Sequence, residues 1–161
     1  MNLQLTTERT KLAELGIELE KLSNYQVICL PQNAFTFNTA EDLYDAGDAR
    51  HLAKLLKASE IRCATAFDFG LDIPILEMRS GDMRLGVVWI RDIFALPLVV
   101  AVIGPLIAAE IHDKTHNQVE PKVHVELYIE RGANVTKLSY NGDGDILIQM
   151  LKAIEAGKTA P

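Results

Sequence analysis

Two histidines four residues apart, His112 and His116 in "HDKTH", are the side chains whose types and spacing come nearest to chemistry. On a helix they share one face and present two imidazoles to a divalent metal, with Asp113 where a zinc metalloprotease helix carries Glu. A catalytic zinc needs a third protein ligand and an open position. Glu110, Glu120 and His124 are the neighbours that could supply the ligand, and their spacing singles out none of them. Asp also reaches less far than Glu as a general base. His112 and His116 are therefore the candidate metal ligands, and the preferred reading is that they are polar residues ending an apolar helix. No catalytic residue and no cofactor is expected.

The other chemical patterns weaken on inspection. In "NGDGD", Asn141, Asp143 and Asp145 match the first three liganding positions of a calcium loop, but Ile146 stands where the sharp turn needs Gly and Lys152 where a bidentate Glu must close the site. A turn followed by a helix cap is expected there instead. Cys29 and Cys63 each lie in an apolar, strand-like run, with no apolar signal segment before them, which fits buried thiols in a reducing cytosol. The sequon Asn134-Val135-Thr136 then carries no glycosylation meaning. No Walker loop, dinucleotide-binding glycine motif, nucleophile elbow or paired-cysteine zinc spacing is present in the sequence. With 16 basic and 22 acidic side chains, the net charge of -6 argues against nucleic acid as a partner. His51, Asp42, Asp45 and Asp48 read as solvated or capping groups.

The elements that would position these residues follow from periodicity. "TTERTKLAELGIELEKL" places Leu12, Leu15, Leu19 and Leu22 on one helical stripe. A strand from about Tyr25 to Leu30 stops at Pro31. A second helical pattern begins near Thr39, is split by Gly47 and Asp48, and runs into a short strand around Cys63. "DIPILEMRS" offers a further extended piece. At the C-terminal end, Val123, Val125, Leu127 and Ile129 alternate with His124, Glu126, Tyr128 and Glu130, predicting a half-buried strand. Residues 131–134 turn the chain into a returning strand, and Asp145 caps a helix carrying Ile146, Ile148, Met150, Leu151 and Ile154.

Between these parts lies "IFALPLVVAVIGPLIAA", 17 uncharged residues from Ile93 to Ala109. As a helix it spans about 26 Å, a little short of a bilayer core of roughly 30 Å. Three readings are open. The first is a continuous helix inserted in or lying against a membrane, kinked at most near Gly104-Pro105. The second is a buried strand over Leu98–Ile103 followed by a helix, and the third an apolar helix buried between copies of the chain. The small residues Ala101, Gly104 and Ala108, with Val100, form the expected contact segment in the oligomer or membrane readings.

The whole reads as an α+β chain in three segments. Residues 1–84 form a mixed helix and strand part, 85–115 the apolar central segment, and 116–161 a ββα unit. Such a layout resembles, as a layout alone, small accessory or effector components of bacterial membrane and defence systems. The expectation is a non-enzymatic, membrane-associated or homo-oligomeric component with a sensing or binding role, placed in the cytoplasm or on the cytoplasmic side of the inner membrane. The alternatives are a cytosolic α/β regulator or small-ligand-binding domain and, more remotely, a small metal-dependent hydrolase.

Overall fold

A computed structural model of the chain describes residues 6–18, 22–76, 82–114 and 122–156. Among these residues four helices, α1 (Thr6–Glu14), α2 (Ala49–Ala58), α3 (Leu96–Lys114) and α4 (Gly144–Glu155), combine with strands β1 (Val27–Leu30), β2 (Asp45–Ala46), β3 (Cys63–Thr65), β4 (Ile75–Leu76), β5 (Met83–Ile90), β6 (Lys122–Arg131) and β7 (Asn134–Asp143). Five strands form one mixed sheet in the order β3-β1-β5-β6-β7, and β2 and β4 make a small parallel pair. This is the α+β class expected. All three sequence segments feed the same sheet, because β5 pairs antiparallel with β1 on one side and parallel with β6 on the other.

The sheet is covered on both faces. On one, α2, α3 and α4 lie side by side over Cys29, Val88, Ile90, Val125, Leu127 and Ile129. On the other, α1 and the connection after β1 cover Ile28, Leu30, Val87, Trp89 and Tyr128. Strand β5 sits between these layers, and its alternation changes phase. Met83 and Leu85 face the three helices, a bulge intervenes between Arg84 and Gly86, and Val88 and Ile90 then take up the same face. Gly86 makes this possible with φ +78, and a Cβ there would stand 3.4 Å from Ala46 Cβ.

Helix α1 is shorter than the leucine stripe predicts. Gly16 adopts φ 80, its N–H returns to the Ala13 carbonyl, and the Ile17 N–H returns to the Leu12 carbonyl. This pairing ends the helix and tucks Ile17 into the core. Leu19 lies outside the described residues. The pattern near Thr39 yields only a 3-10 turn at Ala40–Asp42 before β2, and α2 starts after Asp48. Helix α4 begins two residues earlier than expected, with Asp143 at its N-cap and Asp145 in the first turn.

The central segment is helical throughout, since a 3-10 turn at Ile93–Ala95 leads directly into α3. The Asp92 carboxylate caps this entry by accepting from the Phe94 N–H at 3.0 Å. The extended alternative at Leu98–Ile103 does not occur. The membrane reading is also corrected: among the described residues, no helix is long and apolar enough to cross a membrane. The physical reason is visible in α3 itself. Glu110, Asp113 and Lys114 fall near its C-terminal end, and Leu96, Val99, Ile103 and Ile107 are buried in the core beneath it. Each such side chain removed from water contributes about 1.5–3 kcal/mol, so one side of α3 is committed to the fold. Val100, Ala101, Gly104 and Ala108 belong to a helix seated on the sheet and not to a membrane span.

Candidate functional site

Packing on the sheet leaves the far side of α3 in solvent, and from Pro97 to Ala109 that side carries no polar residue. Pro97, Leu98, Ala101, Pro105, Ala108 and Ala109 are exposed, preceded by Phe94, which is 84% exposed. An amphipathic surface helix normally turns charged side chains outward. Here the sequence from Ile93 to Ala109 has none to turn. Ala101 and Ala108 thus lie on the open side, Gly104 is half-buried, and Val100 is 7% exposed, buried where α3 meets α4.

Between α3 and α4 runs a groove of about 460 Å³, floored by Val100, Ala101, Gly104, Pro105 and Ile148. Pro105, inside α3, has no N–H to give to the Ala101 carbonyl one turn earlier. Lys152 and Glu155 flank the groove on the α4 side. Neither forms an ion pair among the described residues. Ile146, on the first turn of α4, adds a further exposed apolar side chain.

The residues with acid-base chemistry lie elsewhere. His124 on β6 faces Asp82, Nε2 to Oδ2 at 2.9 Å, a pairing across 42 residues that brings the start of β5 to β6. The hydrogen bond from His124 holds the Asp82 carboxyl below its ordinary range, and the Lys122 N–H adds to it. A shallow polar cleft of about 250 Å³ opens beside this pair, bordered by Gln32, Arg84, Glu126, Ser139 and Asn141. Gln32 Oε1 and Arg84 Nε are buried there without a hydrogen-bond partner among the described residues. Strand alternation alone places His124 and Glu126 on this face, but the partnership with Asp82 has no signature in the sequence.

Cys29 and Cys63 are free and buried, with their sulfurs 3.5 Å apart across the parallel β1–β3 pair. Their hydrogen bond and burial push the Cys29 thiol up. The same contact, with Lys57 nearby, draws Cys63 down. On the opposite face of the sheet, Trp89 stacks on Tyr128 at 4.7 Å, with Phe35 edge-on to both, and the indole N–H donates to Glu130 at 2.9 Å.

His112 falls in the last turn of α3, beyond the described side chains, and His116 and Glu120 lie outside the described residues altogether. Among the described residues no group of three or more His, Cys, Asp or Glu side chains is arranged to hold a metal ion. Asn141 and Asp143 are on β7 and Asp145 is in α4, so the "NGDGD" run is a strand end entering a helix. No family model, curated protein or solved structure matches this chain.

Proposed function

We propose that the protein is a non-enzymatic binding module that works as a homo-oligomer, paired through the open side of α3 and the adjoining groove. The observation that supports this most directly is the apolar outer face of α3, from Phe94 through Leu98, Ala101 and Pro105 to Ala108. A contiguous apolar face of this kind costs free energy in water and is characteristic of contact surfaces. Small side chains at Ala101, Gly104 and Ala108 let another helix approach closely.

A second copy of the chain fits this face better than an unrelated partner. Two-fold pairing is self-complementary, so the groove of each subunit receives the same feature of the other. The charges at the groove suit that symmetry: Lys152 meets the partner's Glu155, and Glu155 meets the partner's Lys152. Two ion pairs then frame an apolar centre, the usual arrangement of a specific interface.

Light scattering on the wild type and on Leu98→Glu and Ala101→Arg tests the reading. Both residues are exposed, so the fold tolerates the change, and the thermal transition should be retained. The expected result is a wild type above the 17.8 kDa of one chain and variants that fall to it. Variants with the assembly state of the wild type would overturn the proposal.

A further inference from the structure

A pocket of about 420 Å³ lies at the opposite end of the helical layer from the α3–α4 groove, between α2, the end of β3 and the connection leading to β4. Its volume falls in the range of small-molecule sites, about 300–1,000 Å³. Three cations line it. Arg50, Lys54 and Lys57 occur at intervals of four and three along α2 and so share one face of the helix. The carboxylates Asp45 and Asp72 also line the pocket, and Asp68 stands beside Lys57.

Two of the three cations are already occupied. Arg50 donates to Asp45 at 3.3 Å and to the Ile73 carbonyl at 2.6 Å, and Lys57 donates to Asp68 at 3.2 Å. Lys54, between them, is exposed and has no ion pair or side-chain hydrogen bond among the described residues. Facing it across the pocket are Phe67, Leu71 and Ile73. Phe67 is 79% exposed, which folding alone does not account for. The 3-10 turn Ala66–Phe69 that carries it is fixed, because the Asp68 carboxylate accepts from the Thr65 N–H at 2.8 Å and from Lys57. The Asp68 carboxylate thus fixes the backbone turn that places Phe67 on the pocket lining, and by taking Lys57 it leaves Lys54 as the open cation.

From this geometry we infer that the α2 pocket binds a small organic anion: an aromatic or otherwise apolar body covered by Phe67, Leu71 and Ile73, with one carboxylate or sulfonate group on Lys54. Burial of the body supplies affinity, and the charge-assisted bond to Lys54 fixes its orientation. The exposed carboxylate of Asp72, on the lining beside Leu71, disfavours dianions and leaves the site suited to one negative charge. This site is separate from the α3–α4 face and its occupancy does not depend on self-association.

Two fluorescent dyes that share one aromatic body and differ by a sulfonate group test the inference. 8-Anilinonaphthalene-1-sulfonate carries the sulfonate, and N-phenyl-1-naphthylamine is the neutral counterpart. The wild type should bind the sulfonate dye saturably at one site per chain. Lys54→Glu should weaken that binding by about tenfold or more, the scale of one charge-assisted contact, while changing the neutral dye by less than about twofold on the same scale. Phe67→Ser should weaken both dyes, and Ala101→Arg neither. Lys54 and Phe67 are exposed, so the variants keep the fold, which far-ultraviolet circular dichroism verifies. Absence of saturable binding by the wild type would overturn the inference. So would affinity for the sulfonate dye unaltered by Lys54→Glu, or lost in Ala101→Arg.

Discussion

Replacing Tyr128 by Phe should make the protein more stable, although it deletes a polar group from the middle of the sheet. Tyr128 is 0% exposed and its hydroxyl has no hydrogen-bond partner among the described residues. An unsatisfied buried hydroxyl costs about 1–3 kcal/mol relative to its hydrated state. Phe keeps the ring, and with it the stack on Trp89 at 4.7 Å, the edge contact of Phe35 at 5.3 Å and the Lys137 ammonium 5.6 Å above the ring. Allowing for a small void left by the oxygen, the expected gain is about 1 kcal/mol. In a chain of this size that raises the melting temperature by about 2–4 °C. Burial also pushes the Tyr128 phenol well above its ordinary value of 10.0. The sign follows: the unfolded chain ionises first, so stability present below pH 10 is lost as the pH rises beyond it. Tyr128→Phe removes this alkaline loss. Trp89 is the only tryptophan and reports urea unfolding directly through its fluorescence. A Phe variant less stable than the wild type at pH 7, or one whose advantage fails to grow above pH 10, would refute the reasoning.

Three further outcomes follow from the same packing. Gly86→Ala should destabilise by about 1–3 kcal/mol, because the bulge holds φ +78 and the new methyl meets Ala46 at 3.4 Å; chemical denaturation measures it. Asp82→Asn should lower stability slightly at neutral pH and lose its effect as the pH falls through the depressed range of the Asp82 carboxyl, since a lowered carboxyl stabilises only while it is ionised; melts at stepped pH check this. Lys152→Glu and Glu155→Lys should each weaken self-association, and the double reversal should restore it, read by sedimentation velocity.

Much of the fold was legible because its signals were local. The alternation in β6, the turn before β7 and the helix after it stand where residues 122–155 place them, since one hairpin and one helix bury a single stripe. Strand β5 was hidden for a physical reason. It is buried on both faces, so "LGVVWI" carries no polar alternation, and the bulge at Gly86 reverses the parity of what pattern remains. For α3, the absence of charge announced a helix but not its surroundings. A helix apolar on every side does not declare which side meets the sheet, and the membrane reading grew from that ambiguity. Only the seating of Val99, Ile103 and Ile107 against the core separates them from Leu98, Ala101 and Ala108 outside. The α2 pocket was illegible in the same sense: nothing in the sequence around Lys54 singles it out, because Phe67, Leu71 and Ile73 join it only in three dimensions. Likewise, the partner of His124 lies 42 residues away, beyond any spacing rule.

Sedimentation equilibrium of the wild-type chain over a range of micromolar concentrations bears most directly on the central claim. If α3 and its groove pair two copies, the fitted mass should approach twice the 17.8 kDa of the single chain as concentration rises, with Ala101→Arg held at the single-chain value. A wild type that remains at the mass of one folded chain at every concentration would contradict it.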